Sequence, residues 1–214
     1  MARELISSQV SGYLHSLIPS RPLEMALMEK EAEEEDFPII GPICGHLCYQ
    51  IARMIGARQV FELGSGFGYS TAWFARAVRE SGGGVVHHVV WDEALSKRAR
   101  AHLTALGFED LVHYHVGEAV ERLTKTMSGS FDLIFNDIDK HAYPHSLPTI
   151  KEKLRPGGVL IIDNMLWHGR IFDNDDQSPD TKGVREFTRR IVGDPDWIVS
   201  LVPIRDGMII GYKK

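Results

Sequence analysis

Short apolar runs alternate with segments of helical period along residues 58–163. Five such runs occur, and a helical segment follows each of the first four: RQVFEL (58–63), GVVHHVVW (84–91), LVHYHV (111–116), FDLIF (131–135) and GGVLIID (157–163). The prolines after FDLIF predict that the helix there is broken. Strands that alternate with helices favour βαβ units, in which helices cover both faces of a mostly parallel sheet. The alternation therefore predicts a doubly wound α/β fold.

The two ends of the chain depart from this pattern. Residues 1–55 read as helical, with segments near 4–17, 22–36 and 42–55. At the other end, DWIVSLVPI (196–204) and GMIIGYKK (207–214) are separated by two residues only, which indicates a hairpin and an antiparallel last strand. For 214 residues we expect one domain, 1–214, with 1–55 as a helical N-terminal extension.

Composition argues against several classes of protein. The net charge of −5 disfavours nucleic acid as the main partner, and the hydrophobic content of 43% is typical of a globular protein. No run of 18 apolar residues occurs, and the first ten residues, MARELISSQV, lack the apolar core of a signal peptide. We therefore expect a cytoplasmic protein that does not bind membranes. Cys44 and Cys48 are interpreted as small apolar residues of one helix face.

A glycine loop follows the first predicted strand, in FELGSGFGYSTAWFA (61–75). Its G-x-G-x-G spacing differs from the G-x-G-x-x-G of dinucleotide sites, and Glu62 stands two residues before Gly64. A carboxylate there would repel a diphosphate, but it suits the cationic α-amino group of S-adenosylmethionine. Ser70, at the start of the next helix, offers a hydroxyl to the methionine carboxylate. A plain strand-to-helix turn could look the same.

Acidic residues also follow two later strands. Asp137 and Asp139 come after FDLIF, and Asp163 and Asn164 end the next strand. Ligands of α/β sheets collect at the carboxyl ends of the strands, where these oxygens would suit magnesium or calcium better than zinc. Each acid could instead cap a helix. From spacing alone, Lys140 is either a base of this site or a surface lysine paired with one of the acids.

These motifs together resemble the cation-dependent, S-adenosylmethionine-dependent O-methyltransferases, the family of the caffeoyl-CoA and catechol O-methyltransferases. The similarity runs from about Ile39 to the C-terminus. It is densest in four segments: ELGSGFGYST, FNDIDKHAY, GGVLIIDNMLWHG and PIRDGMIIGYKK. The resemblance implies a Rossmann-like methyltransferase sheet and a homodimer whose subunits meet through the N-terminal helices.

The resemblance also assigns roles to individual residues. The implied cation ligands are Asp137, Asp163 and Asn164. The implied catalytic residues are Lys140, as general base, and Asp137. The residues implied to contact the cofactor are Glu62, Gly64, Ser70, Asp92, Ala119, Asp137 and Asp139. Trp167 and Lys140 would contact the acceptor, a small hydroxylated aromatic molecule. The acceptor pocket would be built from the N-terminal segment and the loop IFDNDDQSPDTKG (171–183).

One position departs from the family pattern. The family ends its second strand with an acid that binds the ribose hydroxyls, and here that position is Val90, with Asp92 two residues later. Asp92 either reaches the ribose through a short shift or only caps the following helix. His141 and His145 likewise either shape the acceptor pocket or are solvated.

The predicted activity is cation-dependent methyl transfer to a hydroxyl of a catechol-like acceptor. An alternative acceptor is a hydroxylated uridine in tRNA, which the basic patches KRAR (97–100) and TRR (188–190) leave open. A nicotinamide oxidoreductase is disfavoured by Glu62. A non-catalytic module, in which the acids are only helix caps, is the remaining class.

Overall fold

The computed structural model describes residues 7–214. This part of the chain contains a seven-stranded sheet. Its strands are β1 (Gln59–Leu63), β2 (Val85–Val90), β3 (Val112–Val116), β4 (Phe131–Asn136), β5 (Leu154–Ile162), β6 (Trp197–Val202) and β7 (Met208–Lys213). The order across the sheet is β3-β2-β1-β4-β5-β7-β6, and β7 alone runs antiparallel to both of its neighbours. The prediction of a mostly parallel sheet with an antiparallel C-terminal strand is confirmed.

Eight α-helices accompany the sheet in the described residues: α1 (Ser8–Ser16), α2 (Leu23–Glu34), α3 (Gly41–Met54), α4 (Tyr69–Glu80), α5 (Glu93–Ala105), α6 (Ala119–Thr124), α7 (Tyr143–Lys153) and α8 (Pro179–Gly193). Two short 3₁₀ segments, Lys140–Ala142 and Trp167–Phe172, follow β4 and β5. The three predicted N-terminal helices correspond to α1, α2 and α3, although residues 4–6 of the first prediction lie outside the described residues. No helix within 7–214 is long and apolar enough to cross a membrane.

Two hydrophobic clusters cover the two faces of the sheet. Helices α2 to α5 contribute to the first cluster, where Cys44 and Cys48 are fully buried free thiols among apolar side chains. Helices α6 to α8 contribute to the second cluster. Because successive strand residues face opposite sides, Val60 belongs to the first cluster and Phe61 to the second.

The strand order reverses beside β1, which lies between β2 and β4. The chain proceeds from β1 to β2 and β3 in one direction, and then crosses back to β4 on the other side of β1. Such a reversal leaves a crevice outside the carboxyl ends of the strands, where α/β proteins bind ligands. Leu63 pairs with Asn136 at this edge, so the glycine loop and the acids after β4 start side by side.

The segment after β4 differs from its prediction as a helix broken by prolines. Helix α7 runs through Pro148, which has no N–H to donate to the Pro144 carbonyl one turn earlier. Arg190 of α8 donates from Nη1 to that carbonyl at 3.3 Å. The hydrogen bond that the proline removes is thus replaced from a neighbouring helix, and α7 continues.

Candidate functional site

A cavity of about 530 Å³ opens at the reversal of the sheet. Its walls come from the glycine loop, the ends of β2 and β4, the loop after β5 and the N-terminal segment 37–39. Seven of the residues assigned a site role from sequence line it: Gly64, Ala119, Asp137, Asp139, Lys140, Asn164 and Trp167. The other four, Glu62, Ser70, Asp92 and Asp163, do not.

The glycine loop lies directly against the end of β4. The Asp137 N–H donates to the Leu63 carbonyl at 2.8 Å. Gly64 has φ +84°, and a Cβ on it would lie 2.6 Å from the Asp137 carbonyl oxygen. Only a residue without a side chain fits this approach, so Gly64 holds the loop against the acidic segment.

Ser70 is buried one residue into α4, beside a second, smaller cavity of about 30 Å³. Gly64 and Asp137 line this cavity as well as the large one. The hydroxyl predicted to meet the methionine end of the cofactor therefore lies next to the glycine loop.

Glu62 is fully buried on the face of β1 that α4 covers. Its Oε2 accepts a hydrogen bond from Thr71 Oγ1 at 2.5 Å, and its Oε1 is buried without a partner. Burial raises the pKa of this carboxyl to about 7, against the opposing effect of the neighbouring hydroxyl groups. An orphaned buried carboxylate oxygen favours a donor or a cation brought by a ligand.

Lys140 and Asp137 form an ion pair inside the cavity. Lys140 Nζ donates to Asp137 Oδ1 at 2.7 Å and to the Ile138 carbonyl at 3.2 Å. The lysine side chain is only 11% exposed, and its Nζ lies 6.0 Å from the ring centroid of Trp167. The predicted ion pair exists, but it belongs to the wall of the cavity and not to the outer surface.

Asp163 lies at the end of β5, 1% exposed. Its Oδ2 accepts from Arg205 Nη1 at 2.6 Å, while its Oδ1 is buried without a partner. Burial, followed by the negative charge of Asp137, raises the pKa of Asp163 to about 6, and Arg205 opposes the rise. Asn136 pairs with Ile162 in the parallel β4–β5 ladder, so Asp137 and Asp163 each follow a paired residue at the same edge of the sheet.

Asn164 is held by a residue that sequence reasoning missed. Its Nδ2 donates to Asp206 Oδ2 at 3.1 Å, and Asp206 Oδ1 accepts from the His168 N–H at 2.5 Å. Since the amide nitrogen is engaged by Asp206, the amide oxygen is left available to a ligand. Asp206 lies in the closing PIRDG segment, whose similarity to the family was the only signal for it.

The chemistry of these oxygens fits a hard divalent cation. Two carboxylates and one amide follow the paired ends of β4 and β5, and one carboxylate oxygen, Asp163 Oδ1, has no partner. No three His, Cys, Asp or Glu side chains within residues 7–214 are grouped so that they could hold a metal ion. A cation at this site would therefore need Asn164 as its third ligand.

The end of β2 presents no acid to the cavity. Val90 lines the wall, whereas Asp92 caps α5, accepting from the N–H groups of Ala94 at 2.6 Å and Leu95 at 3.2 Å. Of the two alternatives for Asp92, the structure shows the helix cap. Both N–H groups bond to Oδ1, so any contact with the ribose would fall to Oδ2.

Two histidines after β4 point away from the cavity. His141 and His145 are exposed and do not line it, and His141 Nδ1 lies 3.2 Å from Asp180 Oδ1. Within the segment 171–183, expected to build the acceptor pocket, only Asp180 reaches the cavity wall. Its last five residues are the first turns of α8.

The comparisons with known proteins cover nearly the whole chain. A family model described as O-methyltransferase matches residues 27–214. A catechol O-methyltransferase of Niastella koreensis is 27% identical over 98% of this chain and 98% of its own length. A putative O-methyltransferase of Mycolicibacterium vanbaalenii is 29% identical over 81% of this chain and 76% of its own.

Solved structures match over a similar span. The O-methyltransferase from Bacillus cereus in complex with S-adenosylhomocysteine superposes with a TM-score of 0.87 and 26% identity, covering 96% of this chain and 97% of that one. The O-methyltransferase TomG from Streptomyces achromogenes, in complex with S-adenosylmethionine, gives 0.86 and 26%, covering 96% of each chain.

Proposed function

The chain belongs to the O-methyltransferase family, and from that premise we propose that it methylates a hydroxyl of a catechol-like small molecule with the help of a divalent cation. It is an S-adenosylmethionine-dependent O-methyltransferase, as its match to the family model and its similarity to cofactor-bound relatives support. The cation and the class of acceptor are the finer parts of the proposal.

We propose that the glycine loop forms the binding site of the cofactor. Gly64 would approach the methionine end closely, and Ser70 would meet its carboxylate. Glu62 lines neither cavity, but its unpartnered Oε1 would receive the α-amino group. Ala119, at the start of α6, would border the adenine, and Asp139 would lie near the cofactor. Val90 offers the ribose hydroxyls no hydrogen bond, so we expect the ribose to be held less firmly than the methionine end.

The observation that carries the cation proposal is the unpartnered Oδ1 of Asp163, beside Asp137 and Asn164. These three residues would hold the ion. A bound divalent cation acts as a Lewis acid that orients two neighbouring oxygens of an acceptor and favours the ionised form of its hydroxyl.

Lys140 is our proposed general base. Its Nζ, once the ammonium has passed its own proton to solvent, would accept the proton as the O–H bond of the acceptor breaks. The acceptor oxygen then forms a bond to the methyl carbon as the bond from that carbon to the sulfonium breaks, leaving S-adenosylhomocysteine. Trp167, on the cavity wall near Lys140, would align the acceptor ring for this transfer.

The direct test is methyl transfer from labelled S-adenosylmethionine to a panel of catechols, with EDTA and then with magnesium restored. We expect EDTA to abolish transfer and magnesium to restore it. Lys140→Met should lower kcat by about 100-fold or more. The control is Lys125→Met, which removes an exposed lysine paired with Glu121 and should leave kcat unchanged.

Each failure of this test has a distinct meaning. Transfer that persists in EDTA would remove the cation from the proposal but leave the enzyme in place. Cofactor binding without transfer to any catechol would contradict the acceptor class, and total tRNA would then be the next acceptor to assay.

A further inference from the structure

Arg205 lies in the five-residue connection 203–207 between β6 and β7, with φ +49°. An L-residue adopts this left-handed backbone only at a cost, because its Cβ crowds the neighbouring carbonyl. The turn therefore keeps an arginine where a glycine would be free of strain. Observed strain of this kind directs attention to what the side chain does.

The guanidinium of Arg205 bridges two parts of the site. Nη1 donates to Asp163 Oδ2 at 2.6 Å, and Nη2 donates to the Ile39 carbonyl at 2.9 Å. The side chain is 37% exposed and lines the cavity together with Ile39. Arg205 thus delivers a fixed positive charge to one of the two carboxylates.

Both carboxylates already have a protein cation as partner. Lys140 pairs with Asp137 at 2.7 Å, and Arg205 pairs with Asp163 at 2.6 Å. A divalent ion entering between them must displace these groups or accept their repulsion at close range. Lys140 is already assigned as the base of the reaction, whereas nothing in the proposed chemistry uses Arg205.

We propose that Arg205 is a tethered competitor of the divalent cation, and that it lowers the affinity of the site by neutralising Asp163. The inference rests on the proposed cation site and concerns a residue outside its ligand set. The opposite role is also physically possible, since a guanidinium on Oδ2 could orient Asp163 and aim Oδ1 at the ion. The two roles predict opposite signs when the charge is removed.

The test measures binding of Mn²⁺ directly, from the loss of the free-ion electron paramagnetic resonance signal, with no acceptor or turnover needed. Arg205→Gln removes the charge at similar length, and Arg205→Gly also relaxes the positive φ. Because an ion pair in a partly buried site carries several times the free energy of an exposed one, we expect both variants to bind Mn²⁺ about tenfold more tightly than the wild type.

Two control variants test whether the tighter Mn²⁺ binding arises at this site and is specific to Arg205. Asp137→Asn should abolish the tighter binding in the Arg205→Gln background, which would show that the ion occupies this site. Arg79→Gln removes an arginine paired with Asp110 and should leave the affinity unchanged. Titration with S-adenosylmethionine and thermal denaturation would verify that each variant is folded.

The outcomes separate this inference from the proposed function. Tighter binding of Mn²⁺ by both Arg205 variants supports competition between Arg205 and the cation. The support is most direct if the wild type binds Mn²⁺ too weakly to measure. If the wild type binds Mn²⁺ saturably and the Arg205 variants bind it equally or more weakly, competition is overturned and the cation proposal stays intact. Absence of saturable binding in all proteins overturns the inference together with the cation half of the proposed function.

Discussion

Glu62 is a carboxylic acid buried without a counter-charge. Its pKa of about 7 in the folded protein lies above the ordinary value of 4.5, and burial is the main cause. Between these two values the folded state keeps a proton that the unfolded state releases. The folded state is therefore favoured at low pH and loses stability as pH rises towards the folded pKa.

We expect Glu62→Gln, which mimics the protonated acid, to remove this loss. Relative to the wild type, the variant should gain unfolding free energy from pH 4.5 to 7 and reach a plateau of about 3 kcal/mol above pH 7. Urea denaturation of the cofactor-free protein at several pH values measures the difference. The exposed Glu33→Gln is the matched control, and a pH-independent difference for Glu62→Gln would show that Glu62 ionises normally.

Which site residues could be predicted from sequence depends on where their partners lie. Asp137 and Lys140 are three residues apart, so their pairing at 2.7 Å follows from local geometry. Asp163 and Arg205 are 42 residues apart and meet only because β7 lies beside β5. Neither the role of Arg205 nor that of Asp206 could be derived until the position of the hairpin turn was known.

At the scale of elements, the turn from β1 into α4 is closely fitted to its neighbour, the end of β4. Gly64 combines a positive φ with contact to the Asp137 backbone. Gly107, after α5, also has a positive φ, of +75°, but a Cβ added to it would have no atom within 4 Å. A substitution of Gly107 therefore measures the cost of backbone strain alone, whereas a substitution of Gly64 adds the cost of a steric clash.

We expect Gly107→Ala to lower the unfolding free energy by about 1–2 kcal/mol, the cost of a left-handed L-residue. Gly64→Ala should lower it by roughly 3 kcal/mol or more, because the end of β4 must also move. It should also weaken binding of S-adenosylmethionine, which Gly107→Ala should not. Chemical denaturation and cofactor titration measure both effects, and equal losses of stability in the two variants would contradict the fitted turn.

Strands were predicted accurately from the sequence where the spacing of apolar residues and the positions of turn residues indicated the same boundaries. The bounds of β1, β2 and β4 differ from their predictions by at most one residue at each end. The prediction that helix α7 is broken is wrong, because a proline in the sequence shows only that one backbone N–H donor is missing. Whether another group replaces that donor is a tertiary fact, and here Arg190 of α8 replaces it.

For the whole molecule, the distribution of charge favours a small acceptor over tRNA. The sequence left tRNA open through two basic patches, but their basic side chains have partners within the fold: all but Arg100 form ion pairs, and Arg100 lies over the Tyr114 ring. Arg98 bonds to Glu31 and Glu35, and Lys97 pairs with Glu93. In the second patch, Arg189 and Arg190 both pair with Glu186.

Paired side chains release few counterions from a polyanion, and the net charge of −5 adds a general repulsion. We therefore expect labelled tRNA to show no saturable change in fluorescence anisotropy with this protein at about 50 mM salt, where electrostatic binding is strong. A basic peptide serves as the positive control for the assay. Saturable binding that weakens as salt rises would contradict the charge argument and restore tRNA as an acceptor, since the ion pairs would then have to open on contact with phosphate.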